Sequence, residues 1–87
     1  MQPILPFWFK QRQCKAEPAG SENMLKVSAP NLGEAYLRIE QADNQRWRAA
    51  LRLTPDGPDV QSTGPDFASP QAAWDVAFEL FRQNVIV

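Results

Sequence analysis

The sequence predicts an α+β fold in which an antiparallel sheet of three or four strands packs on one C-terminal helix. Segments 35–42 and 45–54 alternate apolar and polar residues, as paired, half-buried strands do. Segment 69–84 instead spaces its apolar residues three and four positions apart, which is the period of an amphipathic helix. The 87 residues suit a single domain, residues 1–87, with a small core.

An extended aromatic N-terminal arm is predicted before the sheet. Residues 4–9 read Ile-Leu-Pro-Phe-Trp-Phe, and the prolines in this region favour an extended chain over a helix. Residues 16–23 are small, polar or turn-forming, so they predict an irregular loop. Residues 1–23 are therefore assigned to arm and loop, and residues 24–87 to sheet and helix.

Alternating apolar residues define the predicted strands. The inward-facing residues are Leu25, Val27 and Ala29 in the first strand, Ala35, Leu37 and Ile39 in the second, and Trp47, Ala49, Leu51 and Leu53 in the third. Asp43 and Asn44 suit a tight hairpin between the second and third strands. Residues 60–62 follow a proline–glycine turn and are predicted as a short fourth strand.

The helix near the end of the chain has a clear start. Ser69 suits the N-cap and Pro70 the first helical position. The apolar side chains of this helix cover an arc of about 200°, which is wider than one sheet face covers. The apolar flank that the sheet leaves uncovered must be covered by another segment. The candidates are the arm around Trp8, the tail at residues 85–87, or a second copy of the chain.

Docking of the arm, residues 4–9, onto its own helix is expected, and it is favoured over placement of the arm at a membrane interface. Self-association through the same flank is also expected, because the apolar arc exceeds what one small sheet covers. The candidate interaction surface comprises Phe7, Trp8, Phe9, Trp74, Phe78 and Phe81.

Arginines gather on the outward face of the predicted sheet. Residues 38–54 hold four arginines against two acids, whereas residues 55–79 hold five acids and no base. An exposed face of this kind suits phosphate or an acidic protein surface. The favoured alternative is a solvated face on which Glu40 pairs across the hairpin. The candidate nucleic-acid face comprises Tyr36, Arg38, Arg46, Arg48 and Arg52.

The composition excludes several classes of enzyme. The chain has no histidine and one cysteine, Cys14, which excludes histidine-activated nucleophiles, cysteine clusters for metals and an internal disulfide. Its four glycines are scattered and form no phosphate-binding motif. The proline–aspartate repeats at residues 55–66 suit turns better than a calcium site. We therefore predict no catalytic residue, no cofactor and no metal.

The composition of the chain also predicts where in the cell the protein is located. No apolar stretch approaches the roughly 20 residues that cross a bilayer. The first residues lack the basic start of a secretory leader, and a single cysteine is typical of a reducing compartment. We predict no membrane span and a cytoplasmic protein.

The second half of the chain resembles two known families. The run from Arg46-Trp-Arg through Ser62-Thr-Gly to Phe-Ala-Ser-Pro-Gln-Ala-Ala-Trp at residues 67–74 is similar to YegP-like small bacterial modules. It also resembles the arm-type DNA-binding domain of tyrosine-recombinase integrases, a three-stranded sheet backed by a helix. The second resemblance implies DNA contact, although the loops here are acidic and the usual basic tracts are missing. By this resemblance the positions in contact are Arg38, Arg46, Arg48 and Arg52.

The sequence thus favours a non-catalytic protein-interaction module whose partner is another copy of the chain, forming a homodimer. The resemblance to YegP-like modules implies no biochemical activity. A nucleic-acid-binding module that uses the arginine face is the alternative. A small enzyme built on the chain's carboxylates is a third, less favoured hypothesis.

Overall fold

The computed structural model describes residues 3–20 and 23–86. It contains a five-stranded antiparallel sheet whose strands lie side by side in chain order. The strands are β1 (Lys15–Pro18), β2 (Met24–Ala29), β3 (Gly33–Gln41), β4 (Trp47–Arg52) and β5 (Asp59–Ser62). The helices are α1 (Phe7–Gln11), α2 (Pro70–Phe81) and a closing π-helical turn (Arg82–Ile86). The predicted α+β class is confirmed, with five strands where three or four were expected.

The core lies on one face of the sheet, beneath the two α-helices. α2 packs across the central strands β3 and β4. Alternate residues of β2, β3 and β4 point into this core, as the strand period requires. The largest fully buried side chains are Trp74, Phe9, Phe78, Phe81, Leu37, Leu51 and Val27.

The prediction of an extended N-terminal arm over residues 4–9 is wrong for residues 7–9, which belong to α1. Pro6 occupies the N-cap of this helix, and its carbonyl accepts a hydrogen bond from Lys10 N at 3.3 Å. Proline costs no hydrogen bond here, because amides at a helix start lack helical partners anyway. The helix also lets the neighbouring residues Trp8 and Phe9 both pack on the core, whereas an extended chain would point them to opposite sides.

The irregular loop predicted over residues 16–23 is wrong in its first part, which belongs to β1. Ala16 is paired with Val27, and Ala19 N donates to Met24 O at 3.1 Å just beyond the strand. β1 is an edge strand, where short, charged and proline-containing sequences are tolerated. Its sequence therefore shows little of the alternation of apolar and polar residues that predicts a strand. Residues 21 and 22 lie outside the described residues.

The third predicted strand ends earlier than expected. Ala49 and Leu51 are buried as predicted and Trp47 is half-buried, but Leu53 is 56% exposed, so its inward placement is wrong. The pairing of β4 with β5 shifts register between Leu51 and Arg52. β4 ends at Arg52 and the chain bends at Leu53, so the two-residue alternation of the strand no longer applies to this side chain.

The predicted start of α2 is confirmed. Ser69 Oγ accepts a hydrogen bond from Ala72 N at 3.1 Å, and Pro70 is the first helical residue. Two residues of the predicted tail, Val85 and Ile86, are partly buried against the core. The third residue of that tail, position 87, lies outside the described residues.

Candidate interaction surface

Most of the aromatic residues proposed as an interaction surface lie inside the fold. Four are buried and one is half-buried, which leaves Phe7 as the exposed member of the six. The four buried residues are Phe9, Trp74, Phe78 and Phe81, and the half-buried one is Trp8. The structure therefore brings five of the six together as packing rather than as an accessible surface.

Helix α1 covers the flank of α2 that the sequence left open. The Phe9 ring centroid lies 5.1 Å from that of Phe78 and 6.1 Å from that of Phe81. The Trp8 ring stacks on Phe81 at 6.5 Å. Such offset and edge contacts stabilise aromatic pairs beyond the area they bury. Docking of the N-terminal segment on its own helix is confirmed.

Two apolar residues of the same segment point away from the core. Ile4 is 74% exposed and Phe7 is 77% exposed. The segment is nevertheless anchored near its start, because Ile4 N donates to Gln71 Oε1 on α2 at 2.9 Å. The expectation that residues 4–9 pack as a whole is thus wrong for these two side chains.

Three arginines of the candidate nucleic-acid face belong to one series of ion pairs on the outer sheet face. Arg38 Nη1 lies 2.7 Å from Glu40 Oε2, and Arg38 Nη2 lies 2.9 Å from Asp59 Oδ2. Arg52 Nε donates to Asp59 Oδ1 at 2.7 Å, and Arg48 pairs with Glu40. Three guanidinium groups thus face two carboxylates, for a net charge of +1. Most of the positive charge is satisfied within the chain.

The other two residues of that face are placed differently. Tyr36 is half-buried on the outer face, opposite Arg52. Arg46 precedes β4, and its Nη1 donates to Asp66 O in the connection before α2 at 3.3 Å. The backbone of Arg46 is also held, because its N–H donates to Asn44 Oδ1 at 3.0 Å. Arg46 therefore belongs to the hairpin end rather than to the ion-pair series.

Arg38 reaches Asp59 by crossing the intervening strand. Arg38 lies on β3 and Asp59 on β5, and the β4 residue opposite Arg38 is Ala50. Ala50 is only 3% exposed although it faces outward, which fits a longer side chain lying over it. Its methyl group leaves room for that crossing, so the ion pairs tie the edge strand β5 to the centre of the sheet.

The ion pairs also shift the carboxyl groups that form them. Hydrogen bonds from Arg48 and then Arg38 lower the pKa of Glu40 below its usual value. Burial alone would raise the pKa of Asp59, but hydrogen bonds and charge from Arg52 and Arg38 outweigh it and lower the pKa. Both groups therefore stay ionised to lower pH in the folded chain than in the unfolded chain.

The two edges of the sheet differ in what they offer to another strand. Beside β1, Ala19 N donates inward to β2, so alternation turns Pro18 outward, where it has no N–H to give. Beside β5, Thr63 N donates inward to Ala49 O at 2.9 Å, so alternation turns the N–H and C=O of Ser62 outward. Every residue of β5 is exposed. β5 is therefore the open edge.

Two exposed aliphatic residues accompany this edge. Leu53 follows β4 at 56% exposure, and Val60 lies within β5 at 47% exposure. Val60 has no partner on β4, because the register passes from the Leu51–Gln61 pair to the Arg52–Asp59 pair. Sequence reasoning missed this surface. The sequence signal for it was that the fourth predicted strand is the last of the hairpin series. Such a strand has a neighbour on one side only and is therefore an edge strand.

Within residues 3–20 and 23–86, the His, Cys, Asp and Glu side chains form no group of three or more that could hold a metal ion. In that same part of the chain, no helix has the length and apolar character needed to span a membrane.

Comparisons of the chain with protein-family models, curated proteins and solved structures find no match. The resemblances to YegP-like modules and to integrase arm-type domains therefore stay predictions.

Proposed function

We propose that this chain is a non-catalytic protein-interaction module whose partner is a second copy of itself. The observation that supports the proposal is the open edge strand β5 with Leu53 and Val60 exposed beside it. Unpaired strand edges are templates for pairing with another chain, and adjacent apolar side chains add area that association removes from water.

The proposed surface differs from the aromatic one expected from sequence. Phe9 contacts Phe78 and Phe81 within one chain, so little of the α2 flank remains accessible to a partner. The module would therefore associate through the sheet edge, while α1 keeps its structural role.

Nucleic-acid binding is the less favoured hypothesis. Phosphate binding would have to replace the contacts of Arg38, Arg48 and Arg52 with their own carboxylates. Replacing an existing charged partner gains less than pairing a free guanidinium. Steep salt dependence would be the mark of such binding, since each neutralised phosphate releases a counterion.

The proposal is tested by sedimentation velocity of the intact chain from about 1 µM to about 1 mM. A dimer mass should appear within this range. The double variant Leu53→Ser, Val60→Ser should weaken the dimer, whereas the matched control Ile4→Ser, Phe7→Ser should leave it unchanged. Each double variant removes two exposed apolar side chains, one variant at the β5 edge and the other in the N-terminal segment.

Two results would contradict the proposal. A monomer at every concentration would remove self-association, because an affinity weaker than millimolar is worth only about 4 kcal/mol. Micromolar binding of duplex DNA near physiological salt, lost in the triple variant Arg46→Ser, Arg48→Ser, Arg52→Ser, would support the nucleic-acid hypothesis instead.

A further inference from the structure

We infer that β5 pairs antiparallel with β5 of a second copy, about a two-fold axis at Gln61, so that the two sheets become one continuous sheet. The inference rests on the proposed self-association and specifies its contact surface and register. It is carried by the direction of the backbone groups, by the placement of charge on β5 and by the contrast with β1.

The backbone of β5 has the groups that this pairing needs. Thr63 N bonds to Ala49 O on β4, so the backbone of Gln61 also turns towards β4 and that of Ser62 turns away. Val60 is the extra residue at the register shift, and β4 leaves it unpaired. A two-fold axis at Gln61 puts the outward N–H and C=O of Ser62 opposite Val60 of the second copy, the residue that β4 does not pair.

Charge placement on β5 permits this register. Asp59 lies opposite Thr63 of the second copy, and Gln61 lies opposite its own equivalent, so within the strand no two like charges face each other. The carboxylate of Asp59 is already held by Arg52 and Arg38. An unpaired carboxylate at the centre of the strand would repel its equivalent in the second copy. The centre of β5 carries no such group.

The opposite edge of the sheet does not offer the same contact. Pro18 occupies an outward position of β1 and has no N–H. The same strand carries two charged, exposed residues, Lys15 and Glu17. Proline and charge on an edge strand both oppose edge-to-edge pairing. β5 is preceded by Pro58, which lies before the strand and leaves the outward amide of Ser62 in place.

The backbone contact is tested by sedimentation of Ser62→Pro beside Ser62→Ala. Proline removes the outward N–H, whereas alanine removes the hydroxyl and keeps the N–H. We expect Ser62→Pro to weaken the dimer by about tenfold or more and Ser62→Ala to leave it unchanged. A thermal melt at low concentration checks that both variants fold, and edge strands accept proline at such positions.

The register is tested by disulfide trapping in a Cys14→Ser background, so that the added cysteine is the one thiol present. Gln61→Cys should give a covalent dimer on mild oxidation, because directly opposite residues of a non-hydrogen-bonded pair lie about 4.5 Å apart at Cα. Gln11→Cys on the exposed side of α1 is the matched control and should stay monomeric.

The outcomes separate this inference from the proposed function. A parent chain that is monomeric at all concentrations overturns both. A parent dimer that persists in Ser62→Pro and is not trapped by Gln61→Cys overturns the β5 contact and leaves self-association standing. Loss of the dimer in Ser62→Pro together with trapping at position 61 supports the inference.

Discussion

Phe7 and Phe9 are two residues apart on one short helix, yet they have opposite environments. Phe9 is fully buried among aromatic rings of α2, and Phe7 is 77% exposed. Neither the residue type nor the local sequence distinguishes them. The helical turn of α1 does, because residues two positions apart lie about 200° apart around a helix axis.

The first prediction uses this pair as its own control. Phe9→Ala should destabilise the chain by about 3–5 kcal/mol, because it removes a large side chain from a packed core and leaves a cavity. Phe7→Ala should stay within about 0.5 kcal/mol of the parent. Urea unfolding at one low protein concentration measures both. Equal effects of the two substitutions would show that α1 does not dock as described.

The second prediction concerns Ala50, the residue over which Arg38 reaches Asp59. Ala50→Leu should destabilise the fold by about 1–3 kcal/mol, because added methylene groups would displace a side chain that already lies there. The cost should fall when Arg38→Ala is made in the same chain. A double-mutant cycle by urea unfolding measures the coupling. Additive effects would show that the two side chains do not meet.

The ion-pair series attaches β5 to the centre of the sheet. β5 is short and its register with β4 is irregular, so backbone pairing alone holds it weakly. Arg38 contacts Asp59 from two strands away and Arg52 contacts it from the adjacent strand. Ion pairs at such partly exposed sites contribute at most about 1 kcal/mol each.

The third prediction is the pH dependence of this attachment. The folded pKa values of Glu40 and Asp59 lie below their unfolded values of about 4, so the stability they contribute is complete above those values. It is lost as pH falls through the lower folded values, because the unfolded chain binds more protons. Asp59→Asn should therefore lower stability at pH 7 and flatten its decline in acid.

Urea unfolding at a series of pH values measures that decline. Asp56→Asn is the matched control, since Asp56 is exposed in the connection before β5 and makes no ion pair in the part of the chain that the structure describes. An acid profile of Asp59→Asn that matches the parent would contradict the role given to these pairs.

The elements differ in how well their sequences predict them. α2 is predictable because Ser69 and Pro70 mark its start and its apolar residues keep one period. α1 was missed because prolines suggested an extended chain, while burial of Trp8 and Phe9 against distant rings of α2 decides its conformation. β1 is only four residues long, and pairing with β2 defines it rather than its own pattern.

The candidate site was predicted less completely, for a similar reason. Strand alternation placed Arg38, Arg48 and Arg52 on one face, and the expected pairing with Glu40 is present. The partner that joins Arg38 to Arg52 is Asp59, which is 21 residues from Arg38 in the chain. A contact of that kind depends on how β5 returns beside β4, and no local pattern specifies it.

In residues 3–20 and 23–86 the fold covers its own core and leaves the β5 edge of the sheet open. The N-terminal helix covers the flank of α2, and on the β1 edge Pro18 has no N–H to donate. The remaining side carries the exposed residues Val60 and Ser62. We therefore expect self-association to use β5.

Residue-resolved amide hydrogen exchange at low and high protein concentration tests this claim. Exchange slows where a backbone N–H becomes hydrogen-bonded or buried. The amides of Val60 and Ser62 should exchange more slowly at high concentration, while the outward amide of Ala16 on β1 should not change. Unchanged exchange in β5, under conditions where sedimentation shows a dimer, would contradict the claim.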